Sequence, residues 1–220
     1  NHEPSSPSFV APQLMAIRTR FHLAASRIHK WLALVIGAQL LIWFASGAIM
    51  SFLPIDKVRG EHLVDRETIV AIPGGAVFAD PQRIVAQAGA PVEAMTWRML
   101  DGRPIAEVAT KRGIKLFDAV TGRPVPPVDS KLATRIAEAA WKSAKKPKAE
   151  ASLVKQESPE YRAALPARRI AFADPDNTSI FVAADTGRIT AVRTPTWRLY
   201  DFFCSLHITD SRNHQNFNSW

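Results

Sequence analysis

The chain has 220 residues, 28 Lys and Arg against 20 Asp and Glu for a formal charge of +8, and a single cysteine. Cys204 alone excludes an internal disulfide and a cysteine-only zinc site. The basic excess does not read as a nucleic-acid surface. Arg18, Arg20, Arg27 and Lys30 crowd one end of an apolar run, and Lys142, Lys145, Lys146 and Lys148 have no aromatic rings interleaved for base stacking.

From the amino end, residues 1–12 hold prolines and serines without an apolar period, and are expected to form a disordered tail. Residues 13–30 place Leu14, Ile17, Phe21, Ala24, Ala25 and Ile28 at spacings of three and four. This predicts an amphipathic helix on the cytoplasmic membrane surface. Residues 31–53, WLALVIGAQLLIWFASGAIMSFL, carry no charge. At a rise of about 1.5 Å per residue they reach about 34 Å, enough to cross a hydrocarbon core of about 30 Å. No glycine or proline separates the two stretches, but whether they form one rod or bend is open from the sequence. Leu53-Pro54-Ile55-Asp56-Lys57 is a poor cleavage context, so the run reads as an uncleaved anchor rather than a signal peptide. The basic residues before it outweigh Lys57 and Arg59 after it, which are diluted by Asp56 and Glu61. That asymmetry places the amino terminus in the cytoplasm and residues 54–195 outside, with the lipid bilayer as the first partner.

Beyond the span the periodicity shortens. Asp80-Pro81 followed by QRIVAQAG predicts a capped helix ending at Gly89. Strands are predicted at 92–100, 104–110 and 114–120, with turns at Asp101-Gly102 and Thr121-Gly122-Arg123. A second helix follows at 131–141, with Leu132, Ile136, Ala139 and Ala140 on one side, then strands at 152–156, 168–173 and 179–184. Asp174-Pro175-Asp176-Asn177 supplies turn chemistry, and Thr186-Gly187-Arg188 repeats the earlier triplet. Aligning the triplets sets Leu116 and Phe117 against Phe181 and Val182. The fold class is therefore α+β and membrane-anchored: one transmembrane helix and two tandem helix/antiparallel-sheet units, about 63–128 and 129–195. Residues 196–220 are rich in aromatics, and Tyr200, Phe203 and His207 have the spacing of a helix at the membrane interface.

Arg27-Ile28-His29-Lys30-Trp31-Leu32, Gly37 and Ser46-Gly47 resemble the first membrane segment of the PepSY-associated transmembrane proteins. The turns at 118–123 and 184–188 are similar to that family's small PepSY repeats. Residues 197–210, from Trp197-Arg198-Leu199-Tyr200 through His207 to Asp210, resemble the lead into its second span. The likeness runs over most of residues 21–210. It implies a soluble region between a first and a second span and, by analogy with members that reduce iron-siderophore complexes, electron transfer through haem b held by membrane histidines. This chain ends at Trp220, where a second span would begin, and lacks an initiator methionine. It is expected to be the front part of a reductase-like protein or a shortened relative.

Histidine ligands of one haem must meet at one membrane depth. His29 precedes the span and His207 follows the external domain, so if both are ligands they serve different haems, each with a partner from other transmembrane helices. His22 and His29 are seven apart, as are His207 and His214, a spacing that keeps each pair on one helix face. His29, His207 and His214 are the candidate haem ligands. The alternative for each is an ordinary histidine at headgroup level bonded to a backbone carbonyl. His207, Asp210 and His214 form a weaker candidate set for a divalent metal. Cys204, Ser205 and His207 lack a nucleophile elbow, which leaves hydrolysis without support. The competing function is noncatalytic: a single-span accessory subunit that docks or stabilises a larger membrane complex.

Overall fold

The structure is a computed structural model that describes residues 11–66 and 70–208, with side chains from Arg20 onward. The chain divides into two compact units, α1 with the end of the last helix forming one and residues 53–202 the body of the other.

Helix α1 runs unbroken from Ala11 to Phe52, about 63 Å at an ordinary helical rise. Residues 13–30 and the apolar run are thus one rod, the point the sequence left open. It ends before Leu53-Pro54, because a proline takes away an amide donor and turns the preceding residue from helical dihedrals. A short helix, α2 (Ile55–Arg59), follows and closes on Gly60, whose φ of 73° suits glycine. A β-carbon there would lie 2.5 Å from Val192 Cγ1.

The sheet domain then builds twice from the same plan. Helix α3 (Pro81–Ala88) is capped by Asp80, whose carboxylate accepts from Gln82 N at 2.9 Å, and stops at the left-handed Gly89. Strands β1 (Val92–Leu100), β2 (Arg103–Thr110) and β3 (Gly113–Asp118) form an antiparallel meander. Ile84 and Ala88 of α3 pack on Ala106, Val108 and Phe117. The second plan opens with α4 (Ser130–Ala140), capped by Asp129 through Leu132 N at 2.7 Å. It continues as β4 (Ala149–Val154), β5 (Ala167–Phe172), β6 (Ser179–Ala183) and β7 (Ile189–Arg193), again an antiparallel meander in chain order. Ala133 and Ala137 of α4 pack with Ile170, Phe172, Ile180, Val182 and Val192. The fold is thus α+β, with one long apolar helix and two small antiparallel sheets.

The two Thr-Gly-Arg turns share one hydrogen-bond pattern. Asp118 N donates to Arg123 O and Gly122 N to Asp118 O, both at 2.8 Å; Ala183 N donates to Arg188 O at 2.9 Å and Gly187 N to Ala183 O at 2.8 Å. The internal repeat read from the sequence therefore holds at the level of the backbone. After the second turn the chain pairs as β7, a strand the sequence reading omits. After the first, only a bridge between Phe117 and Pro124 and a bond from Val125 N to Leu116 O form. Pro124, Pro126 and Pro127 supply no amide donors, so a fourth strand stops there. Two other expectations shift: β4 begins at Ala149 rather than Ser152, and Ala139 faces solvent while Ala133 and Ala137 carry the buried face of α4.

The halves are tied together. Glu107 on β2 binds Arg98 Nε at 2.8 Å and Arg188 Nη2 at 3.1 Å, Arg98 also donates to Thr186 O, and Arg135 of α4 pairs with Asp101 at 2.8 Å. A β-carbon on Gly187 would meet Leu100 and Val128 of the first half and Ile136 of α4, so the second turn packs where the halves join.

Candidate functional site

Helix α5 (Pro195–Ile208) starts at a proline in its first turn, with Thr194 Oγ1 accepting from Trp197 N at 3.2 Å. Trp197 is buried and the Arg193 guanidinium lies 3.9 Å from its ring centre. This anchors the start of α5 in the sheet domain. The aromatic spacing of Tyr200, Phe203 and His207 is thus helical, as read from the sequence.

At the other end of α5, His207 rests against α1. Its imidazole stacks on the Trp43 indole with centroids 4.8 Å apart and planes 14° apart. Nδ1 lies 3.1 Å from the Trp43 carbonyl oxygen and 3.2 Å from Ser46 Oγ, while the Ser46 hydroxyl sits 3.0 Å from the same carbonyl. Gly47 makes room: a β-carbon there would stand 3.0 Å from His207 Cε1. Ser46 is the buried residue of this stretch of α1, at 2% exposure.

The Trp43 carbonyl favours one tautomer of His207, whereas the Ser46 hydroxyl can partner either. A carbonyl oxygen only accepts, so a bare Nδ1 lone pair facing the Trp43 oxygen would be repelled; a proton on Nδ1 turns the same geometry into a hydrogen bond. With Nδ1–H donating to the Trp43 carbonyl, Nε2 keeps its lone pair. Metal-bound histidines are generally oriented in this way, by a carbonyl or carboxylate holding the nitrogen that does not ligate.

The other candidates lie elsewhere. His29 is exposed on α1, fourteen residues before Trp43 and so about 21 Å along the helix axis. His29 and His207 therefore do not meet, as their sequence positions imply. His22 and His29 do share one continuous helix, and His22 contacts Phe21 edge to face. His214 and Asp210 lie outside the described residues, so neither the third haem candidate nor the metal set with His207 is placed. Among the described residues no three His, Cys, Asp or Glu side chains gather as a metal site.

Sequence reasoning missed that Trp43, Ser46 and Gly47 act together. Ser46-Gly47 stood out only as a likeness to a family. The available signal was chemical: a hydroxyl and a glycine side by side in an otherwise large and apolar helix suggest a close polar neighbour.

From Arg20 to Ala45 every residue of α1 is exposed. Arg20–Phe52 is, among the described residues, the one helix long and apolar enough to cross a membrane, and Leu34, Val35, Leu41 and Phe44 are all exposed. Comparison of the chain with protein-family models, with curated proteins and with solved structures gives no match.

Proposed function

We propose that this is a membrane electron-transfer protein of the PepSY-associated kind, anchored in the cytoplasmic membrane by α1 with the sheet domain outside. The observation that carries the reading is the seat of His207, whose Nδ1 is held by α1 and whose Nε2 is left as a potential ligand. Support for the anchor comes from the exposed apolar side chains of α1, which water solvates poorly. The basic cluster Arg20, Arg27 and Lys30 at one end favours a cytoplasmic amino terminus. The paired helix-and-sheet units are in keeping with two PepSY-type repeats.

The residues present fit haem b in that His207 would hold it, with Nε2 as the donor atom, at the level of Trp43 to Gly47. Bound haem would supply one-electron chemistry, as in reduction of external ferric complexes. Trp43 and Ser46 orient the imidazole, and Gly47 lets it approach the helix. His29 marks a second level, at the charged end of α1. Each level offers one described histidine, so a second ligand would come from another transmembrane helix of the same protein or of a partner.

That same spacing favours the second reading, a noncatalytic accessory subunit. A chain that brings no two described histidines together can act by lending α1 to a larger membrane complex.

Absorption spectroscopy separates the two. The protein, produced with haem supplied and purified in detergent, is expected to show a dithionite-reduced b-type α band that His207→Ala removes. A haem-free wild-type chain under those conditions contradicts the electron-transfer reading and leaves the accessory one.

A further inference from the structure

A small cavity of about 50 Å³ opens in the sheet domain between α2, β7 and the start of α5. Its walls include Arg59, Arg66 and Arg193, with Thr190 and Trp197 beside them. Three guanidinium side chains around one cavity call for an anion, because like charges are brought together at a cost unless something negative stands between them.

Among the described residues, Glu61 and Glu160 answer this demand only in part. Glu61 lies 3.8 Å from Arg59 Nη1 and 3.7 Å from Arg66 Nη2, within ion-pair range but too far for a hydrogen bond. The forked donors of both arginines therefore make no short bond to Glu61. Arg193 is held in place mainly by neutral groups: Nε donates to the Glu160 carbonyl at 2.7 Å, Nη1 to its neighbour Val192 at 3.1 Å, and the plane stacks over Trp197. The carboxylate of Glu160 is committed to Arg198 at 2.7 Å and approached by Arg169 at 3.9 Å. Burial lowers the Arg193 pKa to about 10; Asp201 and Glu160 counter that and Arg66 adds to it. The charge is thus held in a site that disfavours it.

We propose that Arg59, Arg66 and Arg193, with Thr190 and Trp197, bind a phosphate-bearing anion. Arginine forks match phosphate oxygens two at a time, and the threonine hydroxyl can donate a further bond. The anion is either an anionic phospholipid headgroup or a free phosphate compound. The chain favours the headgroup: Arg59 follows Phe52 by seven residues, so even fully extended backbone keeps it within about 25 Å of the end of the apolar helix. That preference rests on α1 being a membrane anchor, whereas the anion site does not.

The test uses the full chain in neutral detergent, titrated separately with inorganic phosphate and with short-chain phosphatidylglycerol, and read by calorimetry. Arg59→Gln/Arg66→Gln is the informative variant, since Arg193 also braces the fold; an unchanged unfolding midpoint shows that it is folded. Binding of either probe that weakens about tenfold or more in the double variant is the expected result, given about 1.5–3 kcal/mol for a hydrogen bond to a charged group. Retention of phosphatidylglycerol alone identifies a lipid headgroup, and retention of both identifies a free-anion site. No binding of either probe, or equal binding by the variant, overturns the proposal. Alkaline carbonate washing of membranes tests the anchor independently: a chain that washes off yet binds phosphate loses the anchor and keeps the site.

Discussion

Helix α1 and the sheet domain treat apolar side chains in opposite ways. The domain turns Phe117, Tyr161, Ile170 and Phe181 inward until they are almost inaccessible, whereas α1 turns Leu34, Leu41 and Phe44 outward. Water drives the first arrangement and disfavours the second. The contrast teaches that the domain completes its own core, while α1 needs another solvent or other helices. Among the described residues, Trp43, Ser46 and Gly47 give α1 a built polar contact, and that is where His207 sits.

The largest effect that would sharpen the contrast comes from truncating the two kinds of side chain. Phe117→Ala should cost about 3–5 kcal/mol of domain stability through lost burial and a cavity. Leu41→Ala, at a position 71% exposed, should leave the domain within about 0.5 kcal/mol of wild type. Denaturant unfolding in detergent measures both, and equal losses would break the distinction.

Glycines give the next test. At Gly187 φ is 70° and a β-carbon would stand 2.9 Å from Leu100 Cδ1, so Gly187→Ala adds left-handed strain to overlap. A loss of about 2–5 kcal/mol is expected from about 1–2 for the dihedral and about 1–3 for overpacking. The twin change Gly122→Ala, with φ 67° and its nearest contact at 3.1 Å from Ala79 Cβ, should cost less. The unfolding midpoints of the two variants check the order.

Gly47→Leu should leave the domain stable and displace His207. The part of the tryptophan emission that vanishes in Trp43→Phe is expected to brighten in Gly47→Leu, as the imidazole leaves the indole. Unchanged emission would mean that the helix yields instead.

The smallest effect is electrostatic. Backbone donation from Thr121 chiefly lowers the Asp118 pKa, with help from the Thr121 hydroxyl, Val120 N–H and Arg103 against a penalty from burial. A carboxylate depressed on folding contributes stability above its ordinary pKa and loses it as pH falls through the folded value. Asp118→Asn should therefore flatten the acid limb of a stability profile, most visibly below about pH 4. Ala183 stands at the matching place in the second turn and carries no such contribution.

Local signals made much of the domain legible. Asp80 and Asp129 as caps, Asp101-Gly102 as a turn and the doubled Thr-Gly-Arg all follow from side-chain and backbone chemistry confined to a few residues. β7 was not legible because Ile189 to Arg193 owes its strand to pairing with β6, a partner across the turn, and Thr190 and Arg193 blur its alternation. The site was legible at one end only. His207 advertises itself as a titratable ring after an aromatic helix, but its seat lies about 160 residues away in sequence, on a helix whose composition speaks of lipid.

Nitrogen NMR of the full chain in detergent, with ¹⁵N-labelled histidine and His207 assigned through His207→Gln, tests the central claim most directly. At a pH where the ring is neutral, the account predicts a protonated Nδ1 and an unprotonated Nε2, with the pattern lost in Gly47→Leu. A proton resident on Nε2 would contradict it, because the nitrogen offered as a ligand would then be a donor.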